Sequence, residues 1–311
     1  MAGAAPVKIK GRTEYYPRVK QYPLKPDAQA GIEPVIKDLL KAKIIRECAD
    51  SPCNTPIFPV KKTAPSTGWR MVQDLRAVNS AVLARAPNVP DPHTLLNQLD
   101  PEAKYFTVVD LSNAFWSIPV DEASQFWFAF TFKGKRYTFN RLTQGYCESP
   151  TIFADAIRNC LSDFQTPQSS QILTYVDDIL LASKTQTQCK TDTLSLLHYL
   201  AKTGNKVSKN KLQLWRAEVR YLGHTLSGSG RTVNTERKKA ILEAPKPETK
   251  KQMMSFLGLC NYCRQWVPNY AELVRPMHDM IFSQPMAPHD KVTWTKEGSE
   301  SFQATKEKIA S

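Results

Sequence analysis

The sequence predicts an α+β protein: strands and helices in one layered region, followed by a smaller region of helices alone. Three observations predict it. Short apolar runs of strand length, bounded by turn residues, are interspersed with helical patterns, but without the regular strand–helix–strand succession of a parallel sheet. At 311 residues the chain exceeds what one core usually organises, so two or more packed regions are expected. After about residue 235 convincing strand patterns stop and basic helical segments begin.

The elements follow in order. Residues 1–27 are basic and punctuated by Pro6, Pro17, Pro23 and Pro26, which argues for an extended arm. Residues 28–46 read as a helix, with Ala28, Ile32, Val35, Ile36, Leu39, Leu40 and Ile44 in one stripe and Lys37, Lys41 and Lys43 off it. SPCNTPIFPVKK and GWRMVQDLRAVNSAV read as two strands joined by a polar turn over 63–68, a hairpin with Lys61, Lys62 and Arg70 near its tip. YFTVVDLSNAFWSIPV begins as an apolar strand and reaches Asp110. QFWFAFTFKGKRYTFNRL reads as a second hairpin, with Phe128, Phe130 and Phe132 alternating before a Lys133-Gly134-Lys135 turn. A helix is expected over 151–164 and another over 188–203; between them QILTYVDDILLAS gives two short strands around a tight Val176-Asp177 turn. Beyond 235, ERKKAILEA, KKQMMSFLGLCNYCRQWV and NYAELVRPMHDMI read as helices separated by Pro245, Pro247 and Pro268. The tail from 286 to 311 reads as a turn and an amphipathic helix that begin a further region.

Composition narrows the function. Hydrophobic residues make up 41% and charged residues 23%, and no run approaches a membrane span. The opening MAGAAPVKIKGR lacks a signal-peptide core, and seven scattered cysteines do not read as a disulfide framework. The expectation is an intracellular protein, in cytoplasm, viral particle or nucleus, that neither enters a membrane nor is secreted. A balance of 42 Lys+Arg against 29 Asp+Glu, a net charge of +13, suits a polyanionic partner. Basic proteins need not bind nucleic acid, so motifs must decide.

Asp177 and Asp178 sit between ILTYV and ILLA, where an unpaired carboxylate would be costly to bury. At a strand–turn–strand edge both can converge on a third carboxylate, and Asp110, ending YFTVVD, is the natural one. Three such groups repel unless a cation joins them, and hard oxygen ligands select Mg²⁺ or Mn²⁺. Two ions roughly 3.5–4 Å apart would then serve nucleotidyl transfer. Spacing alone leaves a solvated turn as the commoner explanation. Cys260 and Cys263, a lone C-x-x-C on a helical pattern, point to packing rather than zinc, and His93, His198, His224, His278 and His289 form no ligand spacing.

TYVDDIL, VVDLSNAF, RLTQGYCESPTIFADAI, RMVQDLRAVN and RYLGHTL occur in the order found in retroviral reverse transcriptases, and the chain resembles the murine leukaemia virus type, a gammaretroviral pattern that endogenous retroviruses share, over nearly its whole length. The resemblance implies a right-hand polymerase fold that copies RNA and DNA templates into DNA. It places the catalytic metals, two Mg²⁺ or Mn²⁺ per site, on Asp110, Asp177 and Asp178 with the Leu111 carbonyl. Lys62 and Arg70 would clamp the incoming dNTP, with Asp74 and the backbone amides of Asn113 and Ala114 in the same pocket. Phe115 corresponds to a steric gate against a 2′-hydroxyl, and Gln144 lines the pocket against template or nucleotide. Tyr175 would stand near the primer end, and Tyr221, Leu222 and Gly223 belong to a primer-grip hairpin.

The implied organisation is 1–104 fingers with the start of the palm, 105–235 palm with an interleaved fingers segment and the primer grip, 236–282 helical thumb, and 283–311 a truncated start of the connection region, with no RNase H residues. On the thumb Lys238, Lys239, Lys246, Lys250, Lys251, Arg264 and Arg275 would track a primer–template or RNA/DNA hybrid backbone, although a solvated helix face explains about half of such charges. A monomer is implied. The chain departs from the commoner family pattern at Ser112-Asn113, where Lys-Asp is usual, and at Thr143, where Pro precedes Gln-Gly. A rival reading is a retroelement-derived nucleic-acid-binding protein without turnover.

Overall fold

The structure, a computed structural model, describes residues 4–63, 67–86, 89–233 and 235–310. The chain divides into two compact units, Met1–Ala217 and Glu218–Ser311, each with its own hydrophobic core.

In the first unit α1 (Pro26–Lys41) starts with Pro26 in its first turn, where a missing N–H costs nothing, and buries Ala28, Ile32, Ile36 and Leu39. The helix ends earlier than the stripe suggests because Lys43, at φ 55, turns the chain into β1 (Ile45–Glu47). β2 (Ile57–Lys61) and β3 (Trp69–Gln73) form an antiparallel two-stranded sheet, Lys61 opposite Trp69. Part of the expected turn between them, 64–66, lies outside the described residues. Short helices α2 (Arg76–Ala81) and α3 (Pro92–Leu96) precede β4 (Tyr105–Asp110).

β5 (Phe130–Phe132) and β6 (Lys135–Phe139) are the expected second hairpin, closed by Lys133 and Gly134 at φ 47 and 75, and β1 pairs with β6. Phe128 falls not in the strand but in a preceding 3-10 stretch, Glu122–Phe128, where it is still fully buried. Next come α4 (Ser149–Leu161), β7 (Gln171–Tyr175), β8 (Asp178–Ser183), α5 (Gln186–Lys202) and β9 (Gln213–Arg216). They build an antiparallel sheet of order β7-β8-β4-β9. β9 escapes sequence reading: QLWR is half-exposed and pairs with β4 through an irregular register.

Helix α5 packs on β4, β8 and β9. Val109, Ile179, Leu180 and Leu181 have no exposed surface, so the middle strands read as continuous apolar runs rather than alternating ones. The buried Asp192 of α5 accepts the Gln168 and Ser170 N–H groups at 2.7 and 2.9 Å, ordering the loop that feeds β7.

The second unit opens with an antiparallel sheet, β10 (Glu218–Tyr221), β11 (His224–Ser227) and β12 (Gly230–Val233). Helices α6 (Thr235–Leu242), α7 (Lys250–Asn261), α8 (Tyr270–Phe282) and α9 (Lys296–Ala310) follow. A capping box between Thr249 and Gln252 starts α7. The RYLGHTL hairpin lies in the same compact unit as these helices. From the tail, Val292, Phe302 and Ile309 join Met253, Phe256, Met277 and Ile281 in one core, because the apolar face of α9 packs on α8 and α6. Cys260 and Cys263 are buried in that core, where burial pushes the Cys260 thiol up to about 12. No helix among the described residues is long and apolar enough to cross a membrane.

Candidate active site

Strand register builds the site. In the β7–β8 hairpin Tyr175 faces Asp178 across a two-residue turn, and Asp178 also stands directly opposite Asp110 on β4. A slip of one residue would send these side chains to the other face, so the buried sheet fixes the pairing. The turn holds Val176 at φ 52, a left-handed conformation that a β-branched side chain resists at a cost on the order of 1–3 kcal/mol. Backbone bonds stitch the neighbourhood: the Leu111 N–H donates to the Asp177 carbonyl, and the Ser208 N–H to the Asp110 carbonyl, both at 2.9 Å.

The electrostatics are those of crowded carboxylates. Burial raises the Asp178 pKa to about 6, with the charges of Asp177 and Asp110 adding to the rise. Burial raises Asp177 too; Asp110 reinforces it, while a backbone hydrogen bond and Lys211 oppose it. The Lys211 ammonium lies 3.0 Å from Asp110 Oδ2, and that hydrogen bond raises the lysine's own pKa. A cation therefore already sits where negative charge accumulates.

Asp110, Asp177 and Lys211 border a cleft of about 660 Å³, within the range of small-molecule sites. Its lining brings together Lys62, Arg70, Asp110, Leu111, Asn113, Ala114, Phe115, Gln144 and Asp177, residues scattered over more than 110 positions. Asn113, at φ 52, opens the 3-10 turn Ala114–Ser117, and Asn tolerates that conformation better than most residues. The Phe115 ring meets Phe153 of α4 edge-on at 6.0 Å, which braces it from behind. Thr143, which also lines the cleft, is buried, and its carbonyl accepts the Ser149 hydroxyl at 2.8 Å.

Asp74 does not line that cleft. Successive residues of an extended segment point to opposite sides. Gln73 turns inward to the Thr55 hydroxyl, at 2.8 Å, while both Asp74 oxygens are gripped by Arg76 at 2.9 and 2.6 Å outside the cleft. Its carboxyl is accordingly held below the usual range, chiefly by the Arg76 hydrogen bonds.

The remaining expected residues lie in the second unit. Leu222 and Gly223, at φ 50 and 78, form the β10–β11 turn, and the Tyr262 hydroxyl donates to the Leu222 carbonyl at 2.5 Å. Tyr221 has a buried ring, so its side chain is not displayed for contact. Lys250 is likewise committed, donating to the Met286 carbonyl at 3.0 Å beside the Phe282 ring. Lys246 bonds the Ser299 hydroxyl and lies over Trp294, Lys239 pairs with Glu243 and Arg275 with Asp279. Lys251 and Arg264 are exposed.

Residues 60–226 match the family model for reverse transcriptase (RNA-dependent DNA polymerase). The chain is 44% identical over 265 residues to the Gag-Pol polyprotein of Walleye dermal sarcoma virus, covering 85% of the chain and 15% of the relative. It is 39% identical over 310 residues to that of Avian reticuloendotheliosis virus, covering 97% and 26%. The foamy viral protease-reverse transcriptase solved with ds DNA superposes with a TM-score of 0.89 at 32% identity, covering 99% of this chain and 52% of that one. The same foamy viral protein with an RNA/DNA hybrid gives 0.86 at 32%, covering 99% and 40%. The chain belongs to the reverse transcriptase family. It spans about a quarter or less of the polyproteins it matches here.

Reverse transcriptases are in general divalent-metal dependent, and this donor set fits that chemistry: the converging carboxylates are all-oxygen and already accept the Lys211 cation. Among the described residues no three His, Cys, Asp or Glu side chains close into a cage. Mg²⁺ commonly takes one or two carboxylates and completes its shell from water and substrate phosphates, so an open set suits it.

Three cleft features were not legible beforehand. Lys211 arrives through β9's approach, and its run KVSKNKLQ reads only as solvated charge. Asn79 clips the Gln144 loop from α2, donating to the Gly145 carbonyl at 2.8 Å and accepting the Cys147 N–H at 3.0 Å; its signal was the final Asn of RMVQDLRAVN. Trp69 lines the cleft beside Val35 and Leu39.

Proposed function

We propose that the chain is an RNA- and DNA-templated DNA polymerase that extends a primer 3′-hydroxyl with dNTPs. The observation that carries this is the cross-strand apposition of Asp110 and Asp178, next to Asp177, at a cleft also lined by Lys62 and Arg70. Asp110, Asp177, Asp178 and the Leu111 carbonyl are the groups that would hold two Mg²⁺ or Mn²⁺. Such ions supply Lewis-acid activation of the hydroxyl and stabilise the leaving pyrophosphate.

The chain's own residues do the rest. Lys62 and Arg70 bind the triphosphate, with the Asn113 and Ala114 backbone alongside. Phe115, braced by Phe153, presents a flat face to the sugar and excludes a 2′-hydroxyl. Gln144 faces template or base, and Tyr175 the primer end. Asp74, held by Arg76, supports the nucleotide pocket from outside the cleft.

The foamy viral relatives are seen with ds DNA and an RNA/DNA hybrid, and this chain takes the same partners in our reading. Residues 1–104 serve as fingers with the start of the palm, and 105–235 as palm with an interleaved fingers segment and the primer grip. The β10–β12 sheet, with Leu222 and Gly223 at its first turn, and the helices to 282 grip primer and template through Lys251 and Arg264. Function as a monomer in cytoplasm or viral particle belongs to the same reading.

The Asp110–Lys211 pair also suits a second reading, a retroelement-derived nucleic-acid binder, because a lysine already pairs with one carboxylate of the triad. Primer extension on an RNA template with dNTPs and Mg²⁺ or Mn²⁺ decides between them. Extension by the chain and none by Asp177→Asn supports the polymerase; equal hybrid binding by both without extension supports the binder.

A further inference from the structure

Gly31 stands inside α1, where glycine is destabilising by roughly 0.5–1 kcal/mol relative to alanine. The position is nevertheless closed to any side chain. A Cβ there would lie 2.0 Å from Cδ1, 2.2 Å from Nε1 and 2.5 Å from Cγ of Trp69. These are the near atoms of a bulky ring, not the end of a flexible chain, so the indole seats on bare helix backbone.

The seat matters because of what adjoins Trp69. Trp69 pairs with Lys61 in the β2–β3 register, and the Lys61 ammonium lies 5.2 Å from the ring centroid. Lys62 directly follows β2 and Arg70 is the next residue along β3, both line the cleft, and the Lys62 N–H donates to the Gly68 carbonyl at 2.9 Å. β2 and β3 form a two-stranded sheet of their own, and Phe58 and Val60 are 41% and 43% exposed. Such a hairpin is marginal in water by itself, so its place depends on packing against another element. That element is α1, which packs on both strands.

We infer that the Gly31–Trp69 contact is the seat that sets the position of the cationic hairpin over the cleft, making both residues positioning residues for the incoming nucleotide's triphosphate. The inference rests on the polymerase reading for its ligand and on the fold alone for the seat. Cleft cations held in place lower the dNTP KM, whereas the reacting groups on the β4–β8 sheet are untouched.

The test uses the full chain as wild type, Gly31→Ala, Trp69→Phe, Trp69→Leu and the double variant that combines Gly31→Ala with Trp69→Leu. Primer extension gives kcat and the dNTP KM, and amide hydrogen exchange without substrates reads residues 57–61 and 69–73. Gly31→Ala is expected to raise the dNTP KM roughly fivefold to tenfold with kcat within about twofold, well short of the ~100-fold cost of misplacing reacting atoms. It should also speed exchange in the hairpin; Trp69→Phe should do both more weakly, and it carries the test if Gly31→Ala does not fold. Once Trp69→Leu has removed the ring, adding Gly31→Ala should change neither. Unchanged KM and exchange, a fall in kcat with KM intact, or an undiminished Gly31→Ala effect in the Trp69→Leu background would each overturn the seat. If wild type extends no primer, the polymerase reading fails, while the exchange measurement still decides whether the seat exists.

Discussion

The hairpin of β7 and β8 carries Asp177 and Asp178 at the edge of a four-stranded sheet, with Ile179, Leu180 and Leu181 wholly buried behind them. The hairpin of β2 and β3 carries Lys62 and Arg70 on a two-stranded sheet with exposed Phe58 and Val60. Both deliver charge to one cleft, and their construction differs with the sign. Carboxylates that must converge repel one another, so they need a scaffold that cannot relax: locked register, a strained Val176 turn and backbone bonds from Leu111 and Ser208. The cations that meet the triphosphate instead sit on a smaller hairpin held by its packing on α1.

The contrast predicts opposite kinetic signatures. Asp178→Asn should lower kcat by roughly 10³-fold or more with little change in the dNTP KM, because its effect is confined to the transition state. A loss of affinity without loss of kcat would place Asp178 outside the reacting centre. Arg70→Ala should instead act mainly on the dNTP KM, raising it roughly 10- to 100-fold, the range for losing a charge-assisted hydrogen bond. If steady-state extension showed kcat falling and KM holding, the cation hairpin would be part of the chemistry and the comparison would fail. Phe115→Val should act on neither term for dNTPs. It should raise ribonucleotide incorporation by roughly 10- to 100-fold, as removal of a steric wall in a pocket allows. Unchanged sugar discrimination in single-nucleotide extension would sink the gate.

How much of this the sequence disclosed follows the same division. The carboxylate hairpin was legible to the residue: the turn at Val176-Asp177 and the strand ending at Asp110 stand where the apolar runs placed them, because a buried sheet writes itself as continuous hydrophobicity. The cleft's other walls were legible only through the motif order, since Lys62, Arg70 and Gln144 are individually indistinguishable from solvated loop residues. Contacts that depend on tertiary approach left no local trace. Lys211 reaches Asp110 from 101 positions away, and Gly31 meets Trp69 across two elements. Motif membership likewise does not say which face of an extended segment the Asp74 side chain takes. The tail's pattern shows an amphipathic helix but not its partners, which are α6 and α8.

The smallest effect concerns the loop that carries Gln144. Glu148, at the start of α4, is buried, and burial alone would raise its pKa. Hydrogen bonds from Arg85 and Tyr146, both at 2.8 Å, outweigh burial and hold the carboxyl below the ordinary range. A carboxyl depressed in the folded state contributes stability above its unfolded pKa, about 4.3, and that contribution is lost as pH falls through the folded value. The Arg85 side chain is 62% exposed, so screening limits the pair to about 0.5–1 kcal/mol. Urea unfolding of wild type and Glu148→Gln should therefore differ by about that much at pH 7, with the gap closing as pH falls below about 4. A gap that persisted undiminished into acid would mean that packing of the side chain, not its charge, holds this loop. The loop would then resemble the carboxylate hairpin in construction rather than the cation hairpin.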